Sequence, residues 1–416
     1  MEQIIKTDIF IAGAGPAGIA AAVAASELGM SVCIAEKNSF PGGRATASAV
    51  GTVCGLYLRS QRSPQYVLHG FPKLFAERLM KISGKSPVLF SEGLWFLPSH
   101  PADFEKTARA FLSGNGITTL YETCVERVES SSKRITAVYC SRGNENMKIV
   151  PECVIDCSGE GIICTSVNHN FISDEEYQAA AIVFSLKNIS DADEFQLSYL
   201  LLKKITLLIE ESKVPEYYNL LGIIPHSLSN KSVQMKMGLP WKTGGEDLAS
   251  VDVKARVLVS EICNFLKLSV PGFEHSEMEW IAGEVGVRTG IRARGKDTLT
   301  DEDVLSCKKR VDGICNGAWP VEYWRTGNKR VEMTFLPEND FYSIPAGCLE
   351  SGEKENLFFA GKIISAGEKA IASARVIGTC LGTGYAAGVL ASFKASAKER
   401  NIAIEYIKKK CLKRNE

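Results

Sequence analysis

The sequence predicts an α/β fold that begins with a parallel sheet, and three observations support this. The apolar residues 7–12 read as a short buried strand. The glycine-rich residues 13–18 follow at once and lead into an alanine-rich stretch that favours a helix. A second apolar run, residues 31–35, ends in the acidic Glu36. A strand, a helix and a second strand in this order are typical of the β-α-β unit of a doubly wound sheet.

The segment between the first strand and the helix has the pattern G-x-G-x-x-G, and each glycine has a physical task. Gly13 allows the tight turn, Gly15 lets the backbone approach a pyrophosphate, and Gly18 lets the helix pack closely on the strand. Pro16 suits the first helical position, where free amides carry partial positive charge. Glu36 can accept hydrogen bonds from an adenosine ribose. The unit therefore predicts a dinucleotide site, and an acid at this position argues against a 2′-phosphate.

Composition and charge limit the classes of function. Among 416 residues, Lys plus Arg and Asp plus Glu number 48 each, so no basic field favours nucleic acid. The five histidines lack metal-ligand spacing, and no metal site is expected. Thirteen cysteines without a C-x-x-C pair or a secretory leader favour reduced thiols in the cytoplasm. No apolar stretch has the length of a membrane span. The oligomeric state stays open.

Further segments continue the pattern along the chain. Residues 40–46 contain a double glycine directly after the second strand, where an NAD-only dehydrogenase would continue with a helix and a strand. Residues 104–112 favour a helix, residues 116–121 a strand, and residues 123–128 and 134–139 alternate as strands do. Residues 154–161 read as a strand followed by a serine–glycine segment, and residues 356–362 read as a buried strand that ends at Gly361. A helix of small residues then runs to about Phe393.

Together these segments resemble the FAD-dependent oxidoreductases whose Rossmann-type FAD-binding domain is split as in glutathione reductase. The resemblance covers residues 4–60, 100–165 and 280–393. The segments A-W-P-V-E-Y-W (318–324) and S-A-R-V-I-G-T (373–379) look like members whose substrates are mostly unassigned. The resemblance implies a three-layer ββα FAD-binding domain in two parts, residues 1–170 and 340–396. It also implies an inserted α+β substrate or cap domain, residues 171–339, and a basic C-terminal tail, residues 397–416.

The resemblance also implies which residues bind FAD, and it places the backbone of Val125 at the adenine. Lys362 departs from the relatives, which often have arginine, and lysine cannot make a planar bidentate contact. His69 and His100 are remote in sequence from the double glycine, so noncovalent FAD is expected. The implied cofactor-binding residues are Gly13, Ala14, Gly15, Pro16, Ala17, Gly18, Glu36, Lys37, Gly42, Gly43, Arg44, Thr46, Val125, Ser158, Gly159, Gly361, Lys362, Gly378 and Thr379.

Four residues are candidates for catalysis. By resemblance, Arg375 contacts the substrate or the carbonyl edge of the flavin, with a structural ion pair as the alternative. Arg288 and Arg292 share a face if their segment is helical, and they could hold a carboxylate substrate, with a solvated face as the alternative. Glu322, flanked by aromatic residues, is the first acid/base candidate, ahead of Glu368, with a pKa raised by desolvation and with capping of a neighbouring loop as the alternative role. The acidic residues 300–303 indicate a helix start capped by threonine and not a metal site.

The function that follows is hydride exchange between flavin N5 and a small organic substrate, for which a carboxylate is one candidate. Residues 171–278 contain no second dinucleotide pattern, so an organic molecule and not a stably bound nicotinamide would reduce the flavin. A missing C-x4-C pair argues against disulfide reduction, and a missing G-W-x-W-x-I-P pattern argues against a halogenase. A flavin monooxygenase and a non-redox FAD-binding protein remain open, as do the substrate and the electron acceptor.

Overall fold

The computed structural model describes residues 3–114, 116–174, 178–190, 193–239, 248–325 and 331–412. In this part of the chain the strands are β1 (Gln3–Ala12), β2 (Val32–Ala35), β3 (Thr52–Val53), β4 (Val88–Leu89), β5 (Trp95–Pro98), β6 (Ile117–Leu120), β7 (Cys124–Ser130), β8 (Ile135–Arg142), β9 (Glu145–Asp156), β10 (Phe171–Ile172), β11 (Ala181–Lys187), β12 (Leu221–Ile223), β13 (Val233–Gly238), β14 (Glu277–Ile281), β15 (Arg292–Ala293), β16 (Gly313–Gly317), β17 (Val321–Tyr323), β18 (Glu332–Thr334), β19 (Tyr342–Pro345) and β20 (Leu357–Phe359). The α-helices are α1 (Pro16–Glu27), α2 (Arg44–Ala47), α3 (Phe71–Ser83), α4 (Pro101–Leu112), α5 (Ile162–Ser166), α6 (Glu194–Glu210), α7 (Leu248–Ser269), α8 (Asp301–Leu305), α9 (Glu368–Ala374), α10 (Ile377–Ala395) and α11 (Arg400–Ile407).

The central sheet has a parallel core, which confirms the α/β class predicted from the sequence. Its strands lie in the order β6-β2-β1-β9, and all these neighbours are parallel. β20 joins the end of β9 in parallel, while β8 and β7 continue from the start of β9 in antiparallel. Ile9, Phe10 and Ile11 are fully buried in succession, as expected of a strand covered on both faces.

The helices α1 and α10 pack against each other with unusually close backbones. A side chain on Gly384 would lie 2.1 Å from the carbonyl oxygen of Ala17, and one on Gly388 would lie 2.4 Å from that of Ala21. Because residues 17–25 of α1 are all buried, this helix needs no polar face. The small residues of both helices therefore bring the start of α10 close to the glycine-rich turn.

A second, antiparallel sheet has the order β12-β13-β11-β14 and carries α6 and α7. Its apolar core comprises residues between Ala180 and Val285. The described residues between Leu299 and Leu336, which the sequence places in the cap, contribute side chains such as Val304 and Ile314 to the core of the first sheet. The reason is that β16 pairs with β19 and contacts α10.

Some smaller sequence predictions also have outcomes in the structure. The side chain of Thr300 accepts a hydrogen bond from the amide of Asp303 in a capping box, which confirms the predicted helix start. All thirteen cysteines are free, and ten of them are buried. The basic C-terminal segment, expected to be a solvated helix end, forms α11, and Ile404 and Ile407 of this helix join the main core. No single described helix is long and apolar enough to cross a membrane; α9 and α10 together pass that test but are bent by 95° at their junction.

Candidate active site

The turn between β1 and α1 has the tight geometry that its glycines predict. Gly13 has a φ of +94°, and a side chain there would meet the carbonyl oxygen of Cys157 at 2.8 Å. A side chain on Gly18 would lie 1.9 Å from the carbonyl oxygen of Gly13. The tight turn and the close helix packing are therefore confirmed. At Gly15 the nearest atom to an added side chain is the Cα of Gly43, at 3.8 Å, which leaves room beside the first amides of α1.

Glu36 follows β2 and is fastened to this turn. Its carboxylate accepts hydrogen bonds from the backbone amides of Ala14, at 2.8 Å, and Asn38, at 3.0 Å. Burial raises the pKa of Glu36, and the two amides oppose that shift. Each carboxylate oxygen keeps a further lone pair for a hydroxyl donor. The ribose contact stays a prediction, and this geometry leaves acceptors for it.

A balanced cluster of charges lies beside the double glycine. The guanidinium of Arg44 pairs with Glu284 and, at 3.0 Å, with Glu160. Lys37 lies 3.5 Å from Glu284 and 3.9 Å from Glu160. The hydroxyl of Thr46 donates to backbone carbonyls of its own loop, those of residues 41 and 43. Two cations thus face two carboxylates here, so this part of the site has no excess positive charge.

The loop after β9 is held in place by a buried carboxylate. Asp156 accepts hydrogen bonds from the hydroxyl of Ser158, at 2.6 Å, and from the amides of Ile163 and Cys164, at 2.9 and 3.2 Å. The hydroxyl proton of Ser158 is therefore used in a hydrogen bond within the protein. Val125 lies on β7 at the antiparallel extension of the sheet, opposite Cys140.

Lys362 connects the glycine loops with the second half of the site. A side chain on Gly159 would meet the Cε of Lys362 at 3.0 Å, so the loops after β9 and β20 touch there. The ammonium of Lys362 donates to the carbonyl of Val287 at 3.3 Å. Burial lowers the pKa of Lys362 to about 7, and the positive charges of Arg44 and Arg375 add to the shift. A neighbouring anion would restore its charge.

The start of α10 differs in detail from the sequence expectation. The amide of Gly378 donates to the carbonyl of Cys54 at 2.8 Å, so it is used within the protein. The hydroxyl of Thr379 is buried and has no hydrogen-bond partner within the described ranges. An unpartnered buried hydroxyl costs about 1–3 kcal/mol, so this atom marks a place where a ligand can supply a partner.

Two cations lie over one indole ring, and the charge of a third cation acts on both of them. The Lys236 ammonium lies 4.3 Å from the centre of the Trp324 ring, and the Arg288 guanidinium lies 4.2 Å from it. Arg375 donates hydrogen bonds of 3.2 Å to the side chain of Gln178 and to the carbonyl of Glu322. All three cations are half-buried, and none forms an ion pair with any carboxylate of the described chain. We call Lys236, Arg288 and Arg375 the cation cluster.

Glu322 provides a negative charge beside the cation cluster. One of its oxygens accepts from the indole of Trp319 at 2.9 Å, and the other accepts from the indole of Trp324 at 2.8 Å. The expectation of a raised pKa is wrong. Burial acts to raise the pKa, but Arg375, the Trp319 hydrogen bond and the other two cations together lower it below its usual range. The aromatic neighbours donate hydrogen bonds instead of only removing water, so Glu322 stays ionised.

The pKa values of the three cations are lowered as well. Burial lowers the pKa of Lys236 to about 8, and the positive charge of Arg288 adds to the shift. Burial likewise lowers the pKa values of Arg288 and Arg375. Three positive charges beside one carboxylate leave an excess that an anionic ligand would compensate.

Arg292 does not belong to the cation cluster, and the predicted helical face shared with Arg288 is wrong. Arg292 lies in β15, which pairs with β10, so the segment is extended there. Its guanidinium forms a two-pronged ion pair with Asp174, and the two side chains are only 1% and 5% exposed. A cation so enclosed and paired has a structural role. Arg292 is therefore no longer a candidate for substrate binding.

Two residues of the site, Lys236 and Gln178, belong to no recognisable sequence motif and were not predicted as site residues. Lys236 alternates with the buried Met235 and Met237 along β13, so it reads as an ordinary outward-facing strand residue. Its outward face, however, is covered by Trp324. Gln178 stands next to a stretch of apolar residues and gives no signal of its own. Both become visible only through contacts between distant segments.

These features are those of a dinucleotide-binding enzyme of the α/β class that also carries a cluster of half-buried cations. The chain belongs to the FAD dependent oxidoreductase family, whose sequence model matches residues 8–411. It is an FAD-dependent oxidoreductase. No curated protein sequence matches the chain.

Solved structures with the same fold include two hydroxylases. OxyS, the anhydrotetracycline hydroxylase from Streptomyces rimosus, has a TM-score of 0.53 at 11% identity over 97% of this chain. CabE, an aromatic hydroxylase from angucycline biosynthesis, has a TM-score of 0.51 at 9% identity over 96% of this chain. This chain spans 65% of the length of each of them. At such low identity the similarity shows the fold alone.

Proposed function

We propose that this enzyme exchanges a hydride between a small organic acid and FAD, and that Arg288 and Arg375 hold the acid. The observation that carries the proposal is the cation cluster, which has three half-buried cations and no ion-pair partner among the described residues. Guanidinium groups match the planar geometry of a carboxylate. The flavin ring of bound FAD would accept or return the hydride and its two electrons.

The residues around the glycine-rich turn fit noncovalent FAD. The turn at Gly15 would hold the pyrophosphate, and Glu36 would bind the ribose. The unpartnered hydroxyl of Thr379 would face the flavin half, near Lys362, and Lys362 in turn lies close enough to Arg375 for the two charges to interact. This chain of neighbours connects the proposed cofactor site to the cation cluster.

Glu322 is better suited to positioning than to proton transfer. Its lowered pKa makes it a weak base at neutral pH, and both of its oxygens already accept indole hydrogens. We propose that it fixes the ring of Trp324, against which Lys236 and Arg288 lie. This role replaces the acid/base role predicted from the sequence.

The test is flavin bleaching under argon by a panel of small 2-hydroxy, 2-amino and saturated carboxylic acids. We expect at least one acid to bleach the holoenzyme, and we expect Arg288→Met to slow bleaching about 100-fold with an unchanged FAD content. Arg142→Met is the matched control, because Arg142 lies in an exposed pair with Glu145. The control variant should bleach at the wild-type rate.

Four results would contradict this proposal. If no acid bleaches the flavin, or if the Arg288 variant equals the control, the acid site is misplaced. A product that carries an oxygen atom from O2 would replace hydride exchange by oxygenation. A bound flavin that cycles with no substrate would favour a non-redox role for the cofactor.

A further inference from the structure

Charge balance in the cation cluster indicates how many negative charges its ligand carries. Lys236, Arg288 and Arg375 contribute three positive charges, and Glu322 contributes one negative charge. Buried charge is costly unless it is compensated, and the pKa values of all three cations are lowered. A ligand with one carboxylate would leave one positive charge over. A ligand with two would compensate both.

Unused hydrogen-bond donors point to the same kind of ligand. The Nε of Arg375 and the Nε2 of Gln178 are buried and have no partner within the described ranges. Gln178 is only 1% exposed, and its side-chain oxygen already accepts from Arg375 and from the amide of Trp324. Its amino group is therefore a donor that lacks an acceptor. Carboxylate oxygens are acceptors only, and they match these donors.

The positions of the cations indicate how the two negative charges are arranged. The Lys236 ammonium lies 4.3 Å and the Arg288 guanidinium 4.2 Å from the centre of the Trp324 ring. The two charges are therefore no further apart than the sum of these distances. They come from different chain segments, and Arg375 comes from a third. A short molecule with one carboxylate at each end can span this distance, whereas a phosphate would concentrate its charge at one point.

We infer that the substrate is a small dicarboxylate, with one carboxylate held by Arg288 and Arg375 and the other held by Lys236 beside Trp324. The inference rests on the proposed function and makes it more specific. Lys236 then determines specificity: it recognises the second carboxylate and has no part in binding the first. Removing its charge should therefore affect diacids selectively.

The experiment is isothermal titration calorimetry on the FAD-loaded enzyme at pH 7 and constant ionic strength. The probes are succinate, butyrate and propyl phosphate, which compare a diacid, a monoacid and a phosphate monoester that is mainly a dianion at pH 7 with both charges at one end. We expect succinate to bind at least tenfold more tightly than the other two. Lys236→Met should weaken succinate about tenfold and butyrate less than twofold. Lys236→Arg should retain the preference, and Lys187→Met, an exposed lysine on the neighbouring strand, should equal wild type.

Each other outcome overturns a defined part of this inference. Equal affinity for succinate and butyrate, or equal losses for both in Lys236→Met, would refute the second anchor. Propyl phosphate binding as tightly as succinate would refute the dicarboxylate. If monoacids bind and bleach the flavin as well as diacids do, the proposed function survives and only this inference fails. If no acid binds or bleaches the flavin, the proposed function fails as well.

Discussion

At the scale of single residues, Glu322 controls both the charge and the geometry of the site. Each of its two carboxylate oxygens accepts a hydrogen bond from a different indole N–H group, so the orientation of the carboxylate is fixed. The indole of Trp324 is held in this way and forms the wall against which Lys236 and Arg288 lie. The motif around residue 322 thus has a physical reason: the spacing of its tryptophans holds one carboxylate beside three cations.

Glu322→Gln should destabilise the enzyme even though the side chain keeps its shape. The amide places an NH2 group against one of the two indole hydrogens and removes the negative charge among the cations. We expect a loss of roughly 1.5–3 kcal/mol in the free energy of unfolding, measured by urea denaturation at pH 7. Glu145→Gln, at an exposed position, should change it by less than about 0.5 kcal/mol. Equal stability of the two variants would contradict the role of Glu322.

Lys236 should make substrate binding sensitive to pH. Because burial lowers its pKa to about 8, the cation is present below pH 8 and is lost as the pH rises through that value. We therefore expect kcat/KM for the acid substrate to fall above about pH 8. The pKa of Lys236 also depends on the charges of Arg288, Glu322 and Arg375 and on the Cys54 thiol. These groups are the same in the wild type and in Lys236→Arg. In Lys236→Arg the fall should move to higher pH; an unmoved profile would assign it to another group.

At the scale of elements, close backbone contacts around α1 build the cofactor side of the site. Gly18 lets α1 approach the turn, and Gly384 lets α10 approach α1. As a result the amides at the start of α1 and the hydroxyl of Thr379 on α10 belong to one region. Larger residues at these glycines would separate the elements without touching any polar group of the site.

Gly18→Ala should therefore cost the enzyme most of its FAD. The added methyl group would lie 1.9 Å from the carbonyl oxygen of Gly13, so the turn and the helix must shift. We expect the flavin absorbance per protein to fall several-fold, with circular dichroism showing whether the fold persists. Gly352→Ala is the control, since nothing lies within 4 Å of an added side chain there. Full flavin content in the Gly18 variant would refute the proposed pyrophosphate position.

The sequence predicted these elements well because their signals are local. The glycine turn, the buried strands, the helix that ends near Phe393 and the cap at Thr300 each depend on neighbours in the chain. Arg292 was misplaced because its partner Asp174 is remote in sequence, and no local pattern distinguishes a paired arginine from a ligand-binding one. Lys236 was overlooked for the same reason, since only the fold brings it to Trp324.

At the scale of the whole molecule, the cation cluster joins the two sheets. Lys236 belongs to β13 of the second sheet, whereas Arg375 immediately follows α9 and precedes α10, which packs on the first sheet. Arg288 lies between β14 and β15, and Trp324 directly follows β17. The site therefore exists only when both sheets are folded and in contact, and a ligand in it should stabilise the entire enzyme.

Succinate should raise the unfolding temperature of the FAD-loaded enzyme, because a ligand that binds only the folded state stabilises it. At 100 times its Kd the expected gain is about 2.7 kcal/mol. Differential scanning calorimetry would measure the shift, with Arg288→Met as the comparison. An equal shift in that variant would mean that succinate acts elsewhere on the protein.

The most direct measurement is a crystal structure of the FAD-loaded enzyme with succinate. The account predicts a pyrophosphate against the turn of residues 13–18, and a flavin ring that shares one cavity with Lys236, Arg288 and Arg375, the ligand lying between them. A flavin ring on the far side of the Trp319–Trp324 pair, with the cation cluster closed off from it, would contradict the account.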